Sequence, residues 1–147
     1  MDSIREAVSE FNRLYIEFDS LYHEAAAEIG LSDCAFRLLY EMHDEDGELK
    51  QRELSKLLAM PPQTVNSATK KLETDGLLRL EKTVGEKGKR ICLTDSGKAF
   101  ITEHFLPIKL SEERVCAEFS EEEIQMLLSL FGRLVSSLKR EFSNSIR

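Results

Sequence analysis

Between residues 63 and 71 the chain sets Gln63, Thr64, Asn66, Ser67, Lys70 and Lys71 around a few apolar residues. Side-chain amides present a donor and an acceptor side by side, hydroxyls carry both on one atom, and ammonium groups only donate. Together they suit a surface of alternating donors and acceptors such as the base edges of a DNA groove, where Gln and Asn pair with adenine and Lys with guanine or phosphate. Gln63, Asn66 or Ser67, and Lys70 recur every three to four residues and would share one helix face. A solvated helix face has the same composition, so this run alone decides nothing. Further on, Lys82, Lys87, Lys89 and Arg90 gather around Gly85 and Gly88. Long cations on a projecting turn are what a phosphate clamp or minor-groove probe requires.

The charge distribution favours the same chemistry. The net charge is −7, yet Lys50–Lys98 holds eleven basic residues against six acidic, a net of +5 that leaves −12 for the flanks. A basic central third between acidic ends predicts double-stranded DNA as the partner of the middle, and some other partner for the ends.

Other chemistries find little support. There is no Gly-rich phosphate loop, Gly-x-Ser-x-Gly or zinc-protease motif, so an enzyme is not expected, nor is a cofactor. His23, Glu24, His43, Glu103 and His104 offer nitrogen and oxygen donors, but none at His-x-x-x-His spacing, and no metal site is expected. Cys34, Cys92 and Cys116 are odd in number and widely spaced, which predicts free thiols. Cys34 falls in the first turn of a predicted helix, where the dipole can lower a thiol pKa; this is the one clue to redox sensing, against the simpler reading of a packed thiol. Cys92 would alternate out of the core face of a strand. No apolar run is long enough for a membrane span and the first residues lack an apolar signal core, so a cytoplasmic protein is expected.

The elements that must position these residues are legible in the hydropathy. Apolar residues from Ile4 to Ile29 recur in steps of three or four, the stripe of one long helix ended by Gly30. Ser32 is placed to cap a second helix over Cys34–His43, which stops at the polar run Asp44-Glu45-Asp46-Gly47. A third is predicted over about Lys50–Leu58 with Leu54, Leu57 and Leu58 inward. A fourth starts at Pro62, buries Val65, Ala68 and Leu72, and stops at Gly76. Leu78 and Leu80 alternate with charges, and Lys89–Leu93 follows a Gly-bearing tip, predicting a two-stranded hairpin. Thr94 caps a further helix carrying Phe100, Ile101 and Phe105, with a kink or break at Pro107. Ser120 and Glu123 have capping-box spacing and open a final helix with Ile124, Leu127, Phe131, Leu138 and Phe142 on its apolar side. Helix, helix, tight turn, helix and hairpin form the layout in which one helix enters the major groove and a hairpin reaches the backbone beside it.

In this order the strings Leu31-Ser32 with Phe36, Leu54-Ser55-Lys56-Leu57-Leu58, Gln63-Thr64-Val65, Leu72-Glu73-Thr74-Asp75-Gly76-Leu77-Leu78, Leu93-Thr94-Asp95-Ser96-Gly97 and Phe119-Ser120-Glu121-Glu122-Glu123 resemble the MarR family of winged helix-turn-helix regulators over nearly the whole chain. The resemblance implies a mainly α fold with a small β-hairpin wing, flanked by N- and C-terminal dimerisation helices. One MarR-like domain would span 1–147, with the winged helix-turn-helix at 31–106 and dimerisation helices at 1–30 and 107–147. It implies a homodimer on a pseudo-palindromic operator, usually repressing, and released by a small aromatic or anionic effector. The chain departs from the family where Gly85-Glu86-Lys87 replaces the wing's Asp-x-Arg, with Glu86 as the available substitute for the bracing Asp, and where Ser67 and Pro61 replace the usual Arg and Ser or Thr of the recognition helix. Lysine cannot reproduce arginine's planar fork, so wing geometry and operator are this chain's own.

Independently of the resemblance, bulky apolar faces on the first and last helices are more than a small winged module can cover, which predicts an interface. Tyr15, Phe18, Tyr22, Phe36, Tyr40 and Phe105 would line an aromatic cleft suited to an effector, or else fill core. The alternatives to a ligand-released repressor are redox sensing through Cys34 and a winged-helix interaction adaptor that does not bind DNA.

Overall fold

The computed structural model describes residues 3–44, 48–82, 84–85 and 87–146. The helical elements are α1 (Ile4–Glu28), α2 (Asp33–Asp44), α3 (Leu54–Leu58), α4 (Pro62–Thr74), α5 (Asp95–His104), α6 (Leu106–Cys116) and α7 (Glu121–Ser145), and the strands are β1 (Glu48–Lys50), β2 (Leu78–Lys82) and β3 (Lys89–Leu93). The chain divides into two compact units, one running to Leu106 and one starting at Pro107.

The first unit holds the core. Leu38, Leu39 and Met42 of α2, Leu54 of α3 and Leu72 of α4 are fully enclosed, closed from below by Leu78 and Ile91 of the sheet and by Phe105. The caps that fix the helix starts are the expected ones: the Ser32 hydroxyl accepts from the Ala35 N–H at 3.2 Å, and the Thr94 hydroxyl from the Gly97 N–H at 3.0 Å. Gly30 ends α1 at φ +72°, and the Leu31 N–H returns to the Ala26 carbonyl at 2.9 Å, a left-handed closure that a Cβ would strain.

Four expectations need correction. Lys50 belongs to a strand, Gln51–Glu53 form a 3-10 turn, and helix α3 starts only at Leu54. In so short a helix Leu54 and Leu58, four apart, take the buried line, and Leu57 is left 47% exposed on its flank. The hairpin is part of a three-stranded antiparallel sheet ordered β1-β3-β2, with Leu49 and Leu80 both opposite Ile91. Cys92 does alternate to the other sheet face from Ile91, yet it is only 2% exposed, because the flanking charged side chains of that face cover it.

The joint between α4, the sheet and α5 is tight. The Leu77 carbonyl accepts from the Thr94 N–H at 3.1 Å, while the Thr94 hydroxyl donates to the Gly76 carbonyl. Gly97 sits against this joint so closely that a Cβ there would lie 2.1 Å from the Leu77 carbonyl oxygen. The string Leu93-Thr94-Asp95-Ser96-Gly97 therefore fixes the base of the wing to the end of α4.

Phe105, near the end of the first unit, interrupts the helical run before α6, and Pro107, which opens the second unit, occupies a first-turn position that requires no N–H donor. The full capping box opens α7: the Ser120 hydroxyl accepts from the Glu123 N–H at 3.2 Å, and the Glu123 carboxylate accepts from the Ser120 N–H at 2.8 Å. No residue of α7 is buried; Leu127 and Leu128 are 60% and 65% exposed. Among the described residues no helix is long and apolar enough to cross a membrane, and no cluster of three metal-ligating side chains occurs.

Candidate nucleic-acid interface

Helix α4 splits its residues cleanly. Val65, Ala68, Thr69 and Leu72 face inward, and the buried Thr69 hydroxyl is satisfied by donating to the Val65 carbonyl at 2.8 Å. Gln63, Thr64, Asn66, Ser67, Lys70 and Lys71 are all exposed. Pro61 precedes the helix in extended conformation and Pro62 starts it.

The turn before α4 is unusually constrained. Ala59 takes the left-handed conformation at φ 51°, ψ 41°, which a non-glycine residue adopts at a cost of about 1 kcal/mol. Two contacts offset this: the Ser55 hydroxyl donates to the Met60 carbonyl at 2.6 Å, and the Met60 N–H donates to the Ser55 carbonyl at 3.1 Å. Ser55 thus sets the angle at which α4 leaves α3, a role the sequence did not reveal because its bond reaches only into the turn.

The wing cations divide into two sets. Lys82 and Lys89 face each other across the register, and with Lys87 they are exposed at the tip end of the hairpin with no ion-pair partner among the described residues. Arg90 lies further down and donates to the Glu48 carboxylate of β1 at 3.1 Å, so this guanidinium is engaged within the sheet. Beside it Arg79 donates to Glu81 at 2.6 Å and to the Leu93 carbonyl at 2.9 Å. That pairing holds the Glu81 carboxyl below its usual range. The same network covers Cys92, whose thiol is pushed up chiefly by burial and further by Glu81 and Glu48. On α4 Lys71 bonds Asp75 at 2.7 Å on the exposed surface, whereas Lys70 is unpaired among the described residues. Glu86, the expected brace of the wing, lies outside the described residues, as do Glu45, Asp46 and Gly47 of the polar run.

A second concave site lies between α1, α2 and α3. A cavity of about 280 Å³ is lined by Tyr15, Phe18, Tyr22, Phe36 and Tyr40 together with Asp19, Arg37, Glu41, Leu57 and Leu58. Five of the six aromatic residues singled out from the sequence meet here. Phe105 does not line it: it is wholly buried behind Phe36, with ring centroids 4.9 Å apart, and serves as core. The charged lining was missed because single charges between aromatic residues look like ordinary solvent-facing positions. Cys34 is 4% exposed, and burial raises its thiol pKa above the usual range, outweighing the nearby Arg37.

A polar helix laid open after a fixed turn, followed by a hairpin tipped with lysines that have no ion-pair partner among the described residues, has the layout of a winged helix-turn-helix. Residues 29–89 match the family described as MarR family. The chain aligns at 25% identity with the uncharacterized HTH-type transcriptional regulator YcgE of Bacillus subtilis, over 82% of this chain and 79% of that relative. Its fold is similar to NMB1585, a MarR family regulator from Neisseria meningitidis, with TM-score 0.78, 21% identity and coverage of 98% and 99% of the two chains. It is also similar to the MepR–DNA complex of S. aureus, with TM-score 0.71, 22% identity and coverage of 87% and 93%. The chain thus carries a MarR-family match over residues 29–89, and its fold is that of these MarR-type winged helix-turn-helix proteins.

Proposed function

We propose that this regulator is a repressor that binds a pseudo-palindromic operator as a homodimer and is released by a small aromatic effector. The observation that carries the reading is the pairing of a fully exposed, base-competent face on α4 with wing lysines of the same unit that have no ion-pair partner among the described residues. In this reading Gln63, Thr64, Asn66, Ser67 and Lys70 read base edges, while Lys71, Lys82, Lys87 and Lys89 neutralise phosphates. Arg90 contacts the backbone only by sharing its guanidinium with Glu48. That the similar MepR structure is a complex with DNA supports the assignment.

Dimerisation is supported by the uncovered apolar side chains of the outer helices. Ile4, Val8, Ile16 and Leu21 on α1, and Met126, Leu127, Leu128 and Phe142 on α7, are more than half exposed. Apolar faces left open to that extent, each taken by itself, are typical of association surfaces. Two copies related by a dyad would present two α4 helices to half-sites about 34 Å apart. The cavity between α1, α2 and α3 is the effector site in this account, since it abuts the helix pair that carries α4.

The test is selection of bound fragments from a random DNA pool, followed by sedimentation of the complex. An inverted repeat occupied by two chains is expected, with affinity falling by up to about 10³ between 50 and 200 mM salt if about six phosphates are neutralised. Failure to enrich any sequence, or one chain per site, contradicts the proposal.

A further inference from the structure

The aromatic cavity has an electrostatic sign. Three charged side chains line it: Asp19, Arg37 and Glu41. Arg37 is already committed, donating to the Asp19 carboxylate at 2.9 Å. Glu41 is half-buried and has no hydrogen-bond or ion-pair partner among the described residues. The lining therefore carries one carboxylate in excess. Around it the rings stand at steep angles: Phe18 to Tyr22 at 5.3 Å and 57°, and Tyr22 to Tyr40 at 6.2 Å and 86°. Aromatic rings lining a cavity offer electron-rich faces, which attract cations.

We propose that this cavity binds an aromatic organic cation, with Glu41 as its counter-ion and the rings of Tyr15, Phe18, Tyr22 and Tyr40 as its cage; the proposal rests on the reading of the cavity as a ligand site. An anion meets the opposite situation. To reach Arg37 it must displace Asp19, leaving that carboxylate without its partner, and it must do so beside a second carboxylate. A neutral aromatic gains the apolar contact and neither charge effect. A volume of about 280 Å³ admits a single substituted ring system.

The test uses three probes of similar shape: phenyltrimethylammonium, 2-phenyl-2-propanol and benzenesulfonate, titrated into the full chain by NMR, alone and on selected operator DNA. The cation is expected to bind about tenfold more tightly than the alcohol, and the sulfonate more weakly than either. Glu41→Gln should remove most of the cation's advantage and leave the alcohol's affinity within about twofold, while Glu41→Asp retains part of it. Equal or tighter binding of the sulfonate overturns the charge assignment and leaves the effector reading standing. Binding of the cation with no loss of operator affinity supports the site and overturns its role as effector site. Absence of binding by all three overturns both.

Discussion

Replacing Gly97 by alanine should cost far more than a helix-favouring substitution suggests. Alanine in a helix is worth about 1 kcal/mol over glycine, but here the added Cβ would stand 2.1 Å from the Leu77 carbonyl oxygen and 3.0 Å from both its carbon and a Leu93 methyl. Ordinary carbon–oxygen contact needs roughly 3.3 Å, so backbone must move by about 1 Å, since the nearest obstacle is a backbone carbonyl rather than a side-chain end. Overpacking of this kind costs about 1–3 kcal/mol. The shift also disturbs the Thr94 N–H bond to Leu77 and the Thr94 cap of α5, each worth about 1 kcal/mol. The balance is a destabilisation of about 2–4 kcal/mol. Urea unfolding at one fixed protein concentration reads this as a lower midpoint with unchanged slope, with Ser96→Ala as the neighbouring control. A Gly97→Ala midpoint within error of the parent would refute the argument that this joint locks the wing to α4.

Further outcomes follow from the same geometry. Ser55→Ala should lose about 1 kcal/mol of stability and several-fold in operator affinity, since the strained turn at Ala59 is left with one fewer tie; chemical denaturation and fluorescence anisotropy measure the two. Lys87→Ala should weaken binding to operator and random DNA alike and lower the salt slope by about 1 per wing, as measured by affinity across a salt series. Burial raises the thiols of Cys34 and Cys92, so the folded state disfavours their ionisation. Their contribution to stability is present below the unfolded thiol value of about 8.5 and is lost as pH rises above it. Thermal melts between pH 7 and 10 should therefore fall at the alkaline end, and Cys92→Ala should flatten that fall. In native protein a thiol reagent should leave Cys34 and Cys92 protected until the chain unfolds, the pattern opposite to that of a peroxide sensor.

The long elements were legible because periodicity and caps agree. The stripe from Ile4, the Ser32 and Thr94 caps, the Pro62 start and the Ser120–Glu123 box all signal locally what the structure builds. What escaped the sequence depends on distant residues. Strand β1 is three residues, Glu48–Lys50, with no alternation of its own; it exists because it pairs with β3 some forty residues later. That same pairing brings Glu48 to Arg90 and helps to bury Cys92, so the strand's outer face, read as solvent-facing, is an ion-paired cover. Phe105 has the composition of a pocket residue and the burial of a core one, a distinction that only the position of Phe36 in front of it decides. Base-competent residues on α4 could be listed from the sequence because Val65, Ala68 and Leu72 fix which face is inward. The cations actually left unpaired could not.

The central claim is that α4 reads bases while the wing holds the backbone, and Asn66→Ala tests it most directly. The quantity to measure is the ratio of affinities for the selected operator and for random DNA of the same length, at one salt concentration. Loss of a bidentate base contact is worth about 1–3 kcal/mol, so the ratio should drop by roughly 5- to 150-fold per recognition helix, with random-DNA affinity unchanged. An equal loss on both DNAs, or no loss on either, would contradict the assignment of α4 as the reading helix.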